Sequence, residues 1–212
     1  MSDNRPSSPG GPAGPVAPSR RIATEERVTK ETRISVAVDL DGRGAADIDV
    51  PLPFFRHMLE SFVKYSGMDV RLHGSGDIEV DAHHLVEDCG LALGAAIGRA
   101  LGDRVGIRRF GHAYAPLDES LVRCALDLSN RPHLTWEMSA LKGRINDFDV
   151  TVLHEFVQGL VQSAGISLHV DLIRGVNLHH VAEAAFKALG LATRDALGVV
   201  GRDVPSTKGV LR

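Results

Sequence analysis

The sequence predicts an α+β fold built from two similar halves, each running strands, helix, strand or strands, helix, with antiparallel sheets and helices packed on one face. Three observations predict it. A short phrase occurs twice, His83-His84-Leu85-Val86-Glu87 and His179-His180-Val181-Ala182-Glu183, and each copy opens a stretch with helical apolar spacing. The stretch from His57 aligns without a gap on that from Glu155, so that Gly67 meets Gly165, Val70 meets Leu168 and Leu72 meets Val170; a two-residue gap then brings His83 onto His179. Strand-like alternation precedes the first helix of each half.

The segments divide as residues 1–20, 21–103 and 104–212. Residues 1–20 are rich in Pro, Gly and Ser and offer almost no large apolar side chains, which predicts a disordered tail without the apolar core of a secretory signal. In the first half, Arg33 to Leu40 alternates as a half-buried strand, Asp41 to Gly44 is a turn, and Ala46 to Val50 reads as the returning strand. Pro51 and Pro53 end it. Phe54 to Tyr65 reads as a helix with Phe55, Met58, Leu59 and Phe62 on one side, closed by Gly67. Met68–Leu72 and Asp77–Val80 read as two short strands before the first His-pair helix. In the second half, Arg104 to Ala115 reads as irregular, and Leu121–Leu128 and His133–Met138 as strands. Val150 to Ala164 reads as a helix closed by Gly165, and Ile166–Leu172 as a strand. Gly175-Val176-Asn177 turns into the second His-pair helix.

The 212 residues, 43 % hydrophobic and 24 % charged, suit one compact body or two small halves sharing a core. A formal charge of −3 gives no basis for binding nucleic acid or an anionic membrane surface. The apolar run from Leu91 to Ala100 is broken by Arg99 and is too short to span a bilayer. Cys89 and Cys124 stand far apart, in no metal or redox spacing, as buried cytoplasmic thiols do.

The repeated phrase carries the chemistry. On a helix each Glu lies one turn beyond the first His of its pair, and adjacent His side chains diverge by about 100°. One compact metal site cannot easily use both, so two metal ions, each taking one His from the pair, fit the pattern. A lone His pair at a helix start is often a cap or a surface feature; two copies with the same Glu offset point to metal. The alignment adds His57, which alone would read as a buried core histidine, and its repeat equivalent Glu155, with His154 one residue before. The metal-ligand candidates are therefore His57, His83, His84, Glu87, Glu155, His179, His180 and Glu183. Whether Glu155 or His154 serves stays open. Imidazole suits several metals and carboxylate suits Mn, so residue types alone do not choose the ion.

A set of phrases spread over about residues 22–212 resembles the imidazoleglycerol-phosphate dehydratase family. They are Thr29-Lys30-Glu31-Thr32, Asp39-Leu40-Asp41-Gly42, Phe54-Phe55-Arg56-His57-Met58-Leu59, His83 to Asp88, Arg109-Phe110-Gly111, Pro116-Leu117-Asp118-Glu119, Asn130-Arg131-Pro132, Asn177-Leu178-His179-His180, Glu183 to Lys187, and Pro205-Ser206-Thr207-Lys208-Gly209. The resemblance implies a ribosomal S5 domain 2-like fold and a hydro-lyase of histidine biosynthesis that converts D-erythro-imidazole glycerol phosphate to imidazole acetol phosphate and water. It implies two Mn²⁺ per active site, and twenty-four cytoplasmic subunits whose active sites form where subunits meet. It implies substrate contacts from Glu31, Arg109, Arg131, Lys187, Ser206 and Lys208, the last of these on a C-terminal tail. Glu31, His83 and Glu183 are the expected catalytic residues, with Glu31 as the proton-moving carboxylate; alternatively, Glu31 is simply a solvated strand residue. Metals on both ring nitrogens would favour a deprotonated imidazole able to expel the neighbouring hydroxyl.

Three positions depart from the family pattern. Arg56 stands where the family usually has Asp, His154-Glu155-Phe156 where it commonly has Glu-His-Phe, and Pro51-Leu52-Pro53 where it has a Gly-containing turn. Two other functions remain as alternatives, a dinuclear metal hydrolase and a diverged metal-binding paralogue without turnover.

Overall fold

The computed structural model describes residues 20–211; the expected tail lies outside them but for Arg20. Each half forms a four-stranded sheet. In the first, β1 (Ile22–Val28), β2 (Thr32–Asp39), β3 (Ala46–Asp49) and β4 (Asp69–Gly76) stand in the order β1-β2-β4-β3, with helix α1 (Pro53–Ser66) crossing from β3 to β4 and α2 (His83–Leu101) following. In the second, β5 (Phe110–Leu117), β6 (Ser120–Asp127), β7 (His133–Glu137) and β10 (Ser167–Arg174) stand as β5-β6-β10-β7, with a small hairpin β8 (Arg144–Ile145) and β9 (Phe148–Asp149) inserted before α3 (Leu153–Ala164), and α4 (Leu178–Leu197) last. The two strand orders are the same, which is the duplication seen from the backbone.

Four segments differ from the sequence reading. Ala46–Asp49 does not return onto β2. It pairs parallel with β4, because β4 lies antiparallel on the edge of β2 that a returning strand would need; β7 pairs parallel with β10 in the same way. Each otherwise antiparallel sheet thus carries one parallel edge pair, closed by a helical crossover. Asp77–Val80 is a turn, and β4 instead runs on through Gly74 to Gly76; Leu85, Cys89 and Val50 pack against Gly74. Arg104–Ala115 is not wholly irregular, since β5 begins at Phe110. Its inward residues are Gly111, Ala113 and Ala115, too small to register as a hydrophobic alternation, and they are small because α4 presses on them: a Cβ at Gly111 would lie 1.9 Å from the Ala192 carbonyl. β1 escaped assignment because its inward positions include Glu25 and Arg27, charges that suit an edge strand and pair with Arg99 and Asp88 on α2.

The helices lie between the sheets, and each half's second helix packs on the other half's first helix, α2 on α3 and α4 on α1. Phe55, Phe156 and Phe186 meet at this seam with ring centroids 5.4 and 5.7 Å apart, all fully buried. Close approach is enforced by glycine. A Cβ at Gly90 would stand 2.2 Å from the Phe156 carbonyl, and one at Gly94 2.5 Å from that of Leu160. No helix among the described residues is long and apolar enough to cross a membrane.

Candidate metal and substrate site

The helix crossings place the histidines. Gly190 on α4 faces α1, and positions 179, 183, 186 and 187 share that face at helical spacing. His57 on α1 meets them there. Its Nε2 lies 3.4 Å from Glu183 Oε2, and His179 Nε2 lies 3.2 Å from the same oxygen. These three residues bring ligating atoms within 4.8 Å of one another, and Phe54 packs edge-on against the His179 ring with centroids 5.3 Å apart. Lys187 reaches the other Glu183 oxygen at 2.8 Å. Burial pushes the Glu183 carboxyl up, but Lys187 and His57 more than offset this and hold it below its ordinary value. Two imidazoles and a half-buried carboxylate on one spot fit a divalent cation.

The second crossing repeats the design. Gly90 and Gly94 on α2 face α3, and His83 and Glu87 share their side; Gly159 on α3 faces the Glu87 carbonyl, with Glu155 one turn earlier on the same side and His154 about 100° away. His83 Nε2 stands 3.7 Å from Glu87 Oε2. Here the side chains are not gathered: Glu155 Oε1 bonds His154 Nδ1 at 2.9 Å, and His154 sits edge-on to Trp136 at 6.0 Å.

The second histidine of each pair points elsewhere, towards a hairpin. His84 Nδ1 lies 3.1 Å from Asp77 Oδ2 and 3.8 Å from Glu31 Oε2. His180 Nδ1 lies 2.8 Å from Glu119 Oε2. Glu31 closes the β1–β2 turn and Glu119 the β5–β6 turn, so the two are repeat equivalents. They are held differently. Glu119 Oε1 accepts from Ser120 Oγ, Val176 N and Asn177 N; the His180 contact first, and then the Asn177 and Ser120 hydrogen bonds, keep its carboxyl far below the usual range. Among the described residues the Glu31 carboxylate accepts no hydrogen bond, and it is half exposed; the residue is held by its backbone, whose N–H donates to Thr29 Oγ1 and whose carbonyl accepts from Asp77 N. The neighbouring Thr32 hydroxyl and Arg27 both bind Asp88, which ties this turn down to α2. The His180 and His84 imidazoles are pushed up by Glu119 and Asp77 respectively.

A separate pocket of about 390 Å³ is lined by Arg109, Arg131, Ser206, Thr207, Lys208, Val210 and Leu211. It exists because the C-terminal segment returns to the link between the halves: Val199 bridges Ile107, and Gly106 donates to the Asp203 carbonyl. Arg109 anchors it. Its guanidinium grips Asp127 in a two-pronged bond at 2.7 and 2.9 Å and donates Nη1 to the Pro205 carbonyl, so that among the described residues one N–H on each Nη has no acceptor and can serve an anion. Arg109 and Asn130 both hold left-handed backbone, φ 75° and 63°, and Leu128 N donates to the Arg109 carbonyl. None of the histidine or carboxylate candidates lines this pocket.

The model of the imidazoleglycerol-phosphate dehydratase family matches residues 50–193. The chain belongs to this family. An imidazoleglycerol-phosphate dehydratase from Bordetella petrii is 50 % identical over 194 residues, covering 90 % of this chain and all of the relative. Solved imidazoleglycerol-phosphate dehydratase structures agree in fold. That from Staphylococcus aureus has a TM-score of 0.77 at 32 % identity, over 84 % of this chain and 99 % of its own. That from Pyrococcus furiosus, in complex with (S)-C348, has 0.75 at 38 %, over 88 % and 99 %. Imidazoleglycerol-phosphate dehydratases are hydro-lyases of histidine biosynthesis, and membership places this chain among them.

Among the residues expected from the sequence, the structure gathers His57, His179 and Glu183 into one cluster and Arg109, Arg131, Ser206 and Lys208 into one pocket. Lys187 stands in neither the pocket nor open solvent; it binds Glu183 and lies over the Tyr65 ring at 5.7 Å. Arg56 faces Glu60 at 4.0 Å on the exposed side of α1, not His57's partners. Two acids went unsingled in the sequence. Asp77 was hidden in a supposed strand. Glu119 was visible only by carrying the repeat alignment upstream, where Glu119-Ser120 stands opposite Glu31-Thr32.

Proposed function

We propose that the chain dehydrates D-erythro-imidazole glycerol phosphate to imidazole acetol phosphate in a manganese-dependent reaction in the cytoplasm, with two Mn²⁺ per active site. The observation that carries this reading is the convergence of His57, His179 and Glu183 from both halves on one spot. His84 and His180, with the His83–Glu87 pair and Glu155, supply the remaining ligands. Bound Mn²⁺ would supply Lewis-acid polarisation of the substrate's imidazole.

The chain's own residues account for the rest. Arg109, Arg131, Ser206 and Lys208 bind the phosphate by charge-assisted hydrogen bonds. Glu31, near His84 and with a carboxylate that accepts no hydrogen bond among the described residues, takes the proton from the carbinol carbon next to the one that loses its hydroxyl. Proton and hydroxyl leave as water, and the resulting enol gives up its O–H proton and takes one at the ring-side carbon to become the ketone. The phosphate pocket shares no lining residue with the ligand clusters. That separation favours active sites completed between subunits, in an assembly of twenty-four.

Incubating the purified protein with Mn²⁺ and imidazole glycerol phosphate tests the reading. Imidazole acetol phosphate is the expected product. Release of inorganic phosphate would instead mark a dinuclear hydrolase, and no product a metal-binding paralogue without turnover.

A further inference from the structure

We infer that Glu119 is a positioning residue that holds the His180 imidazole in the tautomer protonated at Nδ1, so that its Nε2 lone pair is presented to a metal ion. The inference rests on the metal-binding reading above and deepens it. Glu119 is the last residue of the two-residue β5–β6 turn, with Asp118 before it at φ 46°. Its two oxygens have separate tasks. Oε1 accepts from three donors, Ser120 Oγ at 3.0 Å, Val176 N at 3.3 Å and Asn177 N at 3.0 Å. Oε2 faces His180 Nδ1 at 2.8 Å. An ionised carboxylate has no proton to give, so the hydrogen in that last bond belongs to Nδ1, and Nε2 carries the lone pair.

The same turn also sets where the imidazole starts from. Val176 and Asn177 lead into α4, and Asn177 Oδ1 caps the helix by accepting from His179 N and His180 N. Glu119 therefore fixes both the backbone that carries His180 and the ring itself. The first half reaches the same end with a different residue. His84 Nδ1 faces Asp77, while the first member of each pair turns Nε2 to the Glu four residues on. Asp118 Oδ2 lies 3.9 Å from His180 Nε2, which favours a cation there.

The Glu119→Gln variant separates this role from a structural one. The amide matches the carboxylate in size. Three donors converge on Oε1, so the Gln carbonyl settles there and the NH₂ is left facing Nδ1. It then donates to Nδ1, and the proton moves to Nε2, where it blocks the metal. We expect E119Q to weaken Mn²⁺ binding at one class of site by about 10–100-fold, read by the electron paramagnetic resonance signal of free Mn²⁺ during titration, with the melting temperature of the metal-free protein unchanged. In a His180→Ala background the same exchange should cost nothing more. E119Q titrating like the wild type would overturn the inference. So would a fall in affinity that persists without His180, or one that comes with a collapsed metal-free melting temperature. Should the wild type itself take up no Mn²⁺, the metal reading beneath the inference falls with it; if only E119Q matches a metal-binding wild type, that reading stands and the tautomer inference alone fails.

Discussion

Replacing Gly90 with Ala should damage the α2–α3 crossing and, through it, the cluster of His83 and Glu87. The added methyl would sit 2.2 Å from the Phe156 carbonyl oxygen and 2.9 Å from its carbon. Both are backbone atoms, so no rotamer change relieves the clash. To reach ordinary contact at 3.4 Å the helices must part by about 1.2 Å at this level. Overpacking of this kind costs up to about 3 kcal/mol, and the better helix propensity of Ala returns about 1, leaving a net loss of about 2 kcal/mol. For a chain of this size that is a fall of about 4–8 °C in melting temperature. Glu155 rides on α3 one turn before Gly159, which faces the Glu87 carbonyl, so the same separation moves it away from His83 and Glu87. Differential scanning calorimetry of the metal-free protein and metal analysis of the loaded protein give the two readouts. Gly98 is the control on the same helix. Its Cβ would meet the Ser163 carbonyl at 3.3 Å and Ala164 no closer than 3.6 Å, so Gly98→Ala should leave the melting temperature level or slightly raised. Equal melting temperatures for G90A and wild type, or equal losses for G90A and G98A, would refute the reasoning.

Four further outcomes are expected. Glu155→Ala should lower Mn²⁺ occupancy at one class of site and His154→Ala should leave both filled, because position 155 and not 154 shares the α2-facing side with Gly159; metal analysis after dialysis decides, and the reverse pattern would mean the register is shifted by one. Lys208→Ala should raise the KM for the phosphate substrate by about 10–100-fold, one charge-assisted bond of about 1.5–3 kcal/mol, while Mn²⁺ content stays unchanged. Chelation should shrink the particle seen by light scattering and lower its melting temperature, and restored Mn²⁺ should reverse both, since ligands divided among subunits couple binding to association. Asp69 accepts Arg43 N at 2.7 Å and Ala45 N at 2.9 Å, which lower its pKa; its stabilisation is thus present above the unfolded value of about 3.9 and lost as pH falls through the lower folded value, so melting curves of Asp69→Asn should vary less than wild type over that acid range.

Much of the fold was readable where large apolar side chains met a helical period. α1 declared itself through Phe55, Met58, Leu59 and Phe62, all buried in the structure, and α2 and α4 through the stretches that follow their His pairs. The partnership of β3 was not readable. Four residues carry no mark of which strand they will join, and the choice is made by the α1 crossover and by β4 already occupying the edge of β2. β5 was muted by the small residues that its contact with α4 demands. The site divided along similar lines. His57 and Glu183 were legible because the repeat gave each a counterpart. Glu119 was one acid among many in a polar turn, and its importance lies in what Val176, Asn177 and His180 bring to it from elsewhere in the chain.

The crossing of helices between halves has a consequence for what the two clusters are free to become. Were the halves separate identical chains joined as a dimer, symmetry would copy every substitution into both clusters at once. Fusion into one chain lifts that constraint. His57 can face α4 while its counterpart Glu155 faces α2, and buried Asp88 can brace the Glu31 turn while Ala184 stands in the corresponding place on α4. Glu31 and Glu119 then divide their labour, one left free and the other bound fast. A duplicated chain can in this way hold two unequal centres on one scaffold, each adjusted without spoiling the other.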